Sequence, residues 1–383
     1  MREYLLTAVV AAAVTYLLTP VARRVALRWG AMTPVRDRDV HAVPTPRLGG
    51  IAMMGGFAAA LLVSNSLPFL GPRLNERDIV AVLSGAVLIC LLGVLDDRYE
   101  LDAVTKLAGQ VLAAGVMVLQ GVQMLFLPFG GLGGSAVDEA PGAVVLGPPE
   151  GAVLTILVIV VTINAVNFVD GLDGLAAGIV AIAAASFFAF SYLLTVQEGL
   201  LRATTAGVVA SALIGVCAGF LPHNFSPARV FMGDSGSMLI GLLLATTTIT
   251  LTGSVNPNDV GTDIAPALVP LLLPLAVMVV PFLDMLLAIV RRTAAGRSPF
   301  TPDKQHLHHR LLERGHSHAR AVLVMYLWSA VLAFAGVAVA FLDTVALLVS
   351  LAGVSLLALL LTMNIPRLRR AEGSFTGVRG KVR

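Results

Sequence analysis

Eleven stretches of this chain stay apolar for close to twenty residues at a time, and this recurrence constrains the fold more than any other feature. A helix rising 1.5 Å per residue needs about 20 residues to cross roughly 30 Å of hydrocarbon, where the backbone must satisfy its own hydrogen bonds. The stretches fall at about 3–22, 48–70, 78–95, 106–127, 151–168, 174–195, 202–221, 236–253, 265–290, 321–342 and 344–364. With 57% of residues apolar, 13% charged and a mean hydropathy of +0.87, no segment is left over for a sizeable soluble domain. The sequence predicts an all-α integral membrane protein, a bundle of ten to eleven transmembrane helices. Residues 1–365 form one polytopic domain and 366–383 a basic tail. The first stretch has no clear small-residue cleavage site and runs into Arg23 and Arg24, so it reads as a retained helix. Cys90 and Cys217 lie inside apolar stretches, where thiols behave as small hydrophobes and build no disulfide framework. No internal repeat of the kind that marks many transporters is visible.

The distribution of Lys and Arg orients the bundle. With the amino terminus outside, 22 of the 26 basic residues fall in one set of loops and the tail, leaving Arg2, Arg73, Arg77 and Arg202 opposite. The basic side is expected to be cytoplasmic, with the carboxyl terminus on that side. The loop at about 128–150 carries Asp138, Glu139 and Glu150 without a Lys or Arg and is placed outside. Its VVL stretch is β-prone and predicts a small hairpin.

Four polar segments then share the cytoplasmic face: "LDDRYELDAVTK", "NAVNFVDGLDG", "ARVFMGDSGS" and "PFTPDKQHLHHRLLERG". Ionisable groups at helix ends are costly unless hydrated or paired, so their co-location points to one shared site. Asp96 and Asp97 are adjacent and cannot point the same way on a helix. One is expected to face a cation or substrate while the other is held by a base such as Lys106. Asn164, Asn167, Asp170 and Asp173 recur every three residues, which predicts a polar stripe along one helical face. Asp234, between Gly233 and Gly236, has the look of an N-cap. A helix start also attracts anions, so the same turn could hold Mg²⁺ and phosphate together. Phe231 beside it would pack or stack on a base. His306, His308, His309 and Arg310 invite a zinc reading, but no Cys is near and an Arg is a poor companion for a cation. Imidazole and guanidinium donors suit a pyrophosphate instead, and a basic loop lying on anionic lipid headgroups is the plain alternative.

These stretches, with "HAVPTPRLGG" upstream, together resemble the polyprenyl-phosphate N-acetylhexosamine-1-phosphate transferases over almost the whole chain and in the right order. "HLHHRLL" is similar to the WecA/TagO-type branch. Leu307 and Arg310 depart from the triple-His pattern of the MraY-type phospho-MurNAc-pentapeptide transferases. The resemblance implies a helical bundle with a cytoplasmic cleft, often dimeric, and transfer of N-acetylglucosamine 1-phosphate from a UDP-sugar to polyprenyl phosphate with release of UMP. The product would prime a cell-envelope polymer. It implies Mg²⁺, with Mn²⁺ as a substitute, held chiefly at Asp234 and Asn167. Asp96 and Asp97 would position the lipid phosphate, take its proton or attack as nucleophile. His308, His309 and Arg310 would stabilise charge on the diphosphate, with His306 beside them. Asp173 and Phe231 match positions at the uridine end, Asn164 and Asp170 belong to the substrate-binding stripe, and Arg47 and Lys106 would contact phosphate. The partners implied are a UDP-N-acetylhexosamine, polyprenyl phosphate and the bilayer, with no nucleic acid. Pro270, Pro274 and Pro281 predict a kinked ninth helix. A secondary transporter is the reading from a different class, and Asp284, deep in that helix, is its best support.

Overall fold

The structure, a computed structural model, describes residues 1–33, 44–127, 144–197, 199, 203–253, 268–279, 318–342 and 344–364. Among them are eleven α-helices: α1 (Arg2–Trp29), α2 (Gly49–Ser66), α3 (Glu76–Tyr99), α4 (Ala103–Leu119), α5 (Pro148–Val169), α6 (Leu175–Gln197), α7 (Thr204–Asn224), α8 (Gly233–Thr252), α9 (Leu268–Val279), α10 (His318–Phe341) and α11 (Thr344–Asn364). Among the described residues nine of these helices are long and apolar enough to cross a bilayer, and α4 and α9 are shorter. This is an all-α multi-pass membrane protein.

Each expected stretch contains a helix, but some ends differ. α1 runs beyond residue 22 through Arg23, Arg24 and Arg28, and stops where Gly30 turns left-handed and returns its N–H to Ala26. α4 ends at Leu119 instead of continuing to 127, because the N–H groups of Gln120, Gly121 and Val122 fold back onto Met117 and Val118. The chain then enters β3 (Phe126–Leu127), which pairs antiparallel with β4 (Val144–Val145). The β-prone VVL stretch thus supplies one strand of a short ladder. A second ladder pairs β1 (Met32–Thr33) with β2 (Thr45–Pro46). Within α9 the helix passes through Pro270 and Pro274, while Pro281 and Asp284 lie outside the described residues.

Lipid tails are as apolar as leucine, so helices in a bilayer associate through close packing of small residues rather than by hydrophobic burial. α1 and α7 show this. A Cβ on Gly215 would lie 2.1 Å from the Ala8 carbonyl, and one on Gly219 would lie 2.2 Å from that of Ala12. α8 is the central helix, packed against α2, α3, α5, α6 and α7 and buried along almost its whole length. Its amino-terminal end is where several inter-helix turns meet. The N–H groups of Gly49 and Gly50, which open α2, donate to the carbonyls of Phe231 and Met232, and Phe231 N–H donates to the Pro46 carbonyl.

Candidate active site

The turn between α3 and α4 is built by its own carboxylates. Glu100 ends α3 in a left-handed conformation, and Asp96 Oδ1 accepts from the Leu101 N–H at 2.8 Å. Asp102 caps α4, accepting from the N–H groups of Val104 and Thr105 and from the Thr105 hydroxyl. That hydroxyl holds the Asp102 carboxyl below the ordinary carboxylate range. So tight a turn sets Lys106, one turn into α4, back over the end of α3. Its ammonium lies 2.6 Å from Asp96 Oδ2 and 2.8 Å from Asp234 Oδ2.

Asp97 points the other way. Its Oδ1 accepts from the Asp234 N–H at 2.8 Å and its Oδ2 from the Ser235 N–H at 3.1 Å. The two adjacent carboxylates therefore divide as expected, Asp96 going to Lys106 and Asp97 to a different partner. That partner is the start of α8, not a vacant space for substrate. Both Asp96 and Asp97 are buried, at 3% and 4% exposure.

This arrangement revises the expectations for Asp234. The N-cap of α8 is Met232, which makes no side-chain cap, and Asp234 lies inside the first turn. The cap comes from Asp97 on α3. Because Asp97 takes two of the N–H groups that open α8, those two are not available to a phosphate. Asp234 instead projects its own carboxylate outward, accepting at Oδ1 from Asn167 Nδ2 at 3.1 Å and at Oδ2 from Lys106. Asn167 also donates to the Ser237 hydroxyl at 2.9 Å.

The predicted polar stripe is split because α5 ends at Val169. Asn167 reaches the cluster. Asn164, one turn earlier and exposed, donates to Gln110 Oε1 at 2.7 Å and to the Val160 carbonyl. Asp170 and Asp173 lie in the turn beyond the helix. Burial, and then the nearby charges of Asp234 and Asp97, push the Asp170 carboxyl up to about 8, with Arg47 pulling the other way. Asp173 Oδ2 accepts from the Ala228 N–H at 3.0 Å, which ties this turn to the segment carrying Phe231. Arg47 Nε donates to the Thr33 hydroxyl at 2.8 Å.

The structure thus joins Asp96, Asp97, Lys106, Asn167 and Asp234, sets Asp170 within their field, and places Asp173, Phe231 and Arg47 on the surrounding turns. His306, His308, His309 and Arg310 lie outside the described residues. Sequence reasoning missed Ser237, Gln110, Asn224 and Tyr326. Asn224 Oδ1 accepts from the Gly174 N–H, its Nδ2 donates to the Val230 carbonyl, and the Tyr326 hydroxyl donates to the Gly174 carbonyl. Ser237 stands inside a stretch already marked as polar, whereas Gln110 and Tyr326 are lone polar groups in apolar stretches.

Among the described residues no three His, Cys, Asp or Glu side chains are gathered as a metal cage. The donor set suits a hard divalent ion of the Mg²⁺ type, which takes one or two protein oxygens and leaves the rest to water and phosphates. Asp234 is a partly exposed carboxylate already attracting a cation, and Asn167 beside it carries a carboxamide oxygen.

Residues 79–252, from α3 to the end of α8, match the family model for glycosyl transferase family 4. A decaprenyl-phosphate N-acetylglucosaminephosphotransferase of Mycolicibacterium smegmatis is 46% identical over 375 residues, covering 97% of this chain and 90% of its own. The chain belongs to this family. Its matched region holds all five clustered residues. More distant members include a probable undecaprenyl-phosphate N-acetylglucosaminyl 1-phosphate transferase of Bacillus subtilis, 31% identical over 81% of this chain and 78% of its own. A phospho-N-acetylmuramoyl-pentapeptide-transferase of Desulforudis audaxviator is 33% identical over 79% of this chain and 86% of its own. The family and the motif resemblance agree.

Proposed function

We propose that this protein transfers N-acetylglucosamine 1-phosphate from UDP-N-acetylglucosamine to a polyprenyl phosphate and releases UMP, with a cytoplasm-facing site that uses Mg²⁺. The observation that carries the reading is the meeting of Asp96, Asp97, Lys106, Asn167 and Asp234 at one end of the bundle, in a chain 46% identical to a transferase of that name. The 46% relative favours N-acetylglucosamine over the phospho-MurNAc-pentapeptide of the 33% relative.

In this reaction an oxygen of the lipid phosphate bonds to the phosphorus that bears the sugar. The bond between that phosphorus and the bridging oxygen of the uridylyl group breaks, and UMP leaves. A phosphate monoester has its second pKa near ~6, so most of the acceptor is already dianionic at neutral pH and needs no strong base. The difficulty lies in bringing anions together, and positioned positive charge addresses it. Lys106, its ammonium partly exposed between two carboxylates, and Arg47, on the adjoining turn, supply that charge to the phosphates. Asp234 and Asn167 would hold the divalent ion, which when bound neutralises charge on the diphosphate. Asp96 fixes Lys106 through the 2.6 Å ion pair. Asp173 and Phe231 line the nucleotide end, and His306, His308, His309 and Arg310 serve the sugar and diphosphate. The excess of Lys and Arg in the loops on this side supports a cytoplasmic orientation.

Purified protein given UDP-N-acetylglucosamine, decaprenyl phosphate and Mg²⁺ is expected to release UMP and form a lipid-linked diphosphate sugar. Absence of UMP with every UDP-sugar offered would remove the reading, and release only with UDP-MurNAc-pentapeptide would replace it with the other branch.

A further inference from the structure

The family match accounts for the presence of Asp97 but not for what its carboxylate touches. Both of its oxygens accept backbone N–H groups, those of Asp234 and Ser235, and only 4% of the residue is exposed. α8 has no cap of its own, since Met232 at the N-cap position makes no side-chain bond. The turn that Asp97 grips is fixed from other sides as well. A Cβ on Gly93 of α3 would lie 2.3 Å from the Ser235 Cα, and a Cβ on Gly50 of α2 would lie 2.2 Å from the Ser235 carbonyl carbon. Gly233 has φ of +69°, and a Cβ there would lie 2.4 Å from Asp97 Oδ2. Only glycine lets the carboxylate this close while keeping the left-handed turn.

We infer that Asp97 is a positioning residue: it caps α8 from the neighbouring helix and so fixes where Asp234 presents its carboxylate. A helix start leaves its first N–H groups without partners, and in the interior of a membrane protein each such group is costly. Asp97 satisfies two of them and adds a negative charge at the positive end of the helix. With that capping in place, Asp234 is free to turn its own carboxylate toward Lys106 and Asn167 instead of folding back as a cap. The inference rests on the reading of Asp234 as a metal ligand, and the outer support of a metal ligand typically changes metal affinity by about 10- to 100-fold when removed.

The test uses the full-length protein in lipid nanodiscs and the variants Asp97→Asn, Gly233→Ala and Asp234→Asn. Mn²⁺ binding is followed by the electron paramagnetic resonance signal of free ion, alongside the Mg²⁺ dependence of UMP release. Asp97→Asn turns an amide N–H₂ against one of the two N–H donors, and Gly233→Ala displaces the turn while leaving the Asp97 carboxylate intact. Both are expected to weaken Mn²⁺ binding about tenfold or more and to raise the Mg²⁺ needed for half-maximal rate in step, with much of kcat regained at saturating Mg²⁺. Wild-type Mn²⁺ affinity in Asp97→Asn, with kcat lost at every Mg²⁺ concentration, would overturn the inference and make Asp97 a group that acts on substrate. Should Asp97→Asn fail to fold, Gly233→Ala decides alone: unchanged Mn²⁺ binding and rate overturn it. Asp234→Asn separates the two levels, because Mn²⁺ binding that survives in this variant refutes the metal reading itself, whatever Asp97 does.

Discussion

Lys106 brings one positive charge to 2.6 Å from Asp96 and 2.8 Å from Asp234, and in doing so occupies a carboxylate that a divalent ion would also claim. Its two effects on activity should therefore have opposite signs. Lys106→Met is expected to bind Mn²⁺ more tightly, by about fivefold for a partly exposed ion pair worth roughly 1 kcal/mol. The same variant should turn over at least about 100-fold more slowly, because the charge proposed to meet the phosphates is gone. A Mn²⁺ titration and a rate at saturating metal check the two halves separately, and loss of both would return Lys106 to a purely structural role. Asp170 gives a prediction about pH. Its carboxyl is raised to about 8, by burial first and by Asp234 and Asp97 next, so the folded protein keeps a proton that the unfolded chain releases from about pH 4 upward. Folding stability from this group therefore falls as pH rises through that window. Asp170→Asn, in metal-free buffer, should melt higher than the wild type near pH ~8 and lose that advantage toward pH ~4. A gap that does not depend on pH would show that Asp170 is not the group concerned. At this scale the sequence made Asp96, Asp97 and Lys106 legible as one constellation, because adjacent carboxylates on a helix must diverge. It did not reveal that Asp97 meets backbone, since a residue's type says nothing about which neighbouring helix end it will face.

The helices themselves were readable because about 20 apolar residues in succession have few other fates in a chain of this composition. Their packing was not, because close approach depends on single glycines whose partners come from distant parts of the sequence. Gly50 and Gly93 show this: neither carries chemistry, yet each sits against the Ser235 backbone at the start of α8. Gly93→Ala is expected to cost about 1–3 kcal/mol through overpacking and to lower activity by shifting the turn that bears Asp234. Thermal unfolding and UMP release together check it, and a variant of wild-type rate and stability would show that the two helices separate freely there. The stripe from Asn164 to Asp173 was misread for a related reason. A spacing of three predicts a shared face only while the helix lasts, and α5 stops at Val169. The two residues beyond it serve a turn that Tyr326 of α10 also binds. Tyr326→Phe removes its hydrogen bond to the Gly174 carbonyl, a loss of about 1 kcal/mol. It should raise KM for the UDP-sugar more than it lowers kcat, since Asp173 and Phe231 lie on the segments this bond steadies.

Across the whole molecule, the clustered residues come from the ends of α3 and α5 and the starts of α4 and α8, with the turn before α2 alongside. In a bundle whose successive helices alternate in direction, the end of every odd-numbered helix and the start of every even-numbered one share a face. The sequence order of the motifs and their meeting in space are thus two expressions of one topology. The parity rests on α4 and α9 as well as on the nine long helices. α4, with 17 residues, is about 25 Å long against roughly 30 Å of hydrocarbon, so it crosses only with its polar ends drawn toward the interfaces. Were α4 and α9 to cross along with the nine long helices, the two termini would lie on opposite sides. A fluorescent protein fused after Arg383 should therefore fold and emit in the cytoplasm, whereas a periplasmic reporter such as alkaline phosphatase should be active only when joined before Met1. A reporter pattern with both termini on one side would mean that one of the two short helices fails to cross. If α4 were the one that failed, the shared face on which the site depends would be broken, because Asp97, before it, and Asn167, after it, must both reach Asp234 from the same side of the membrane.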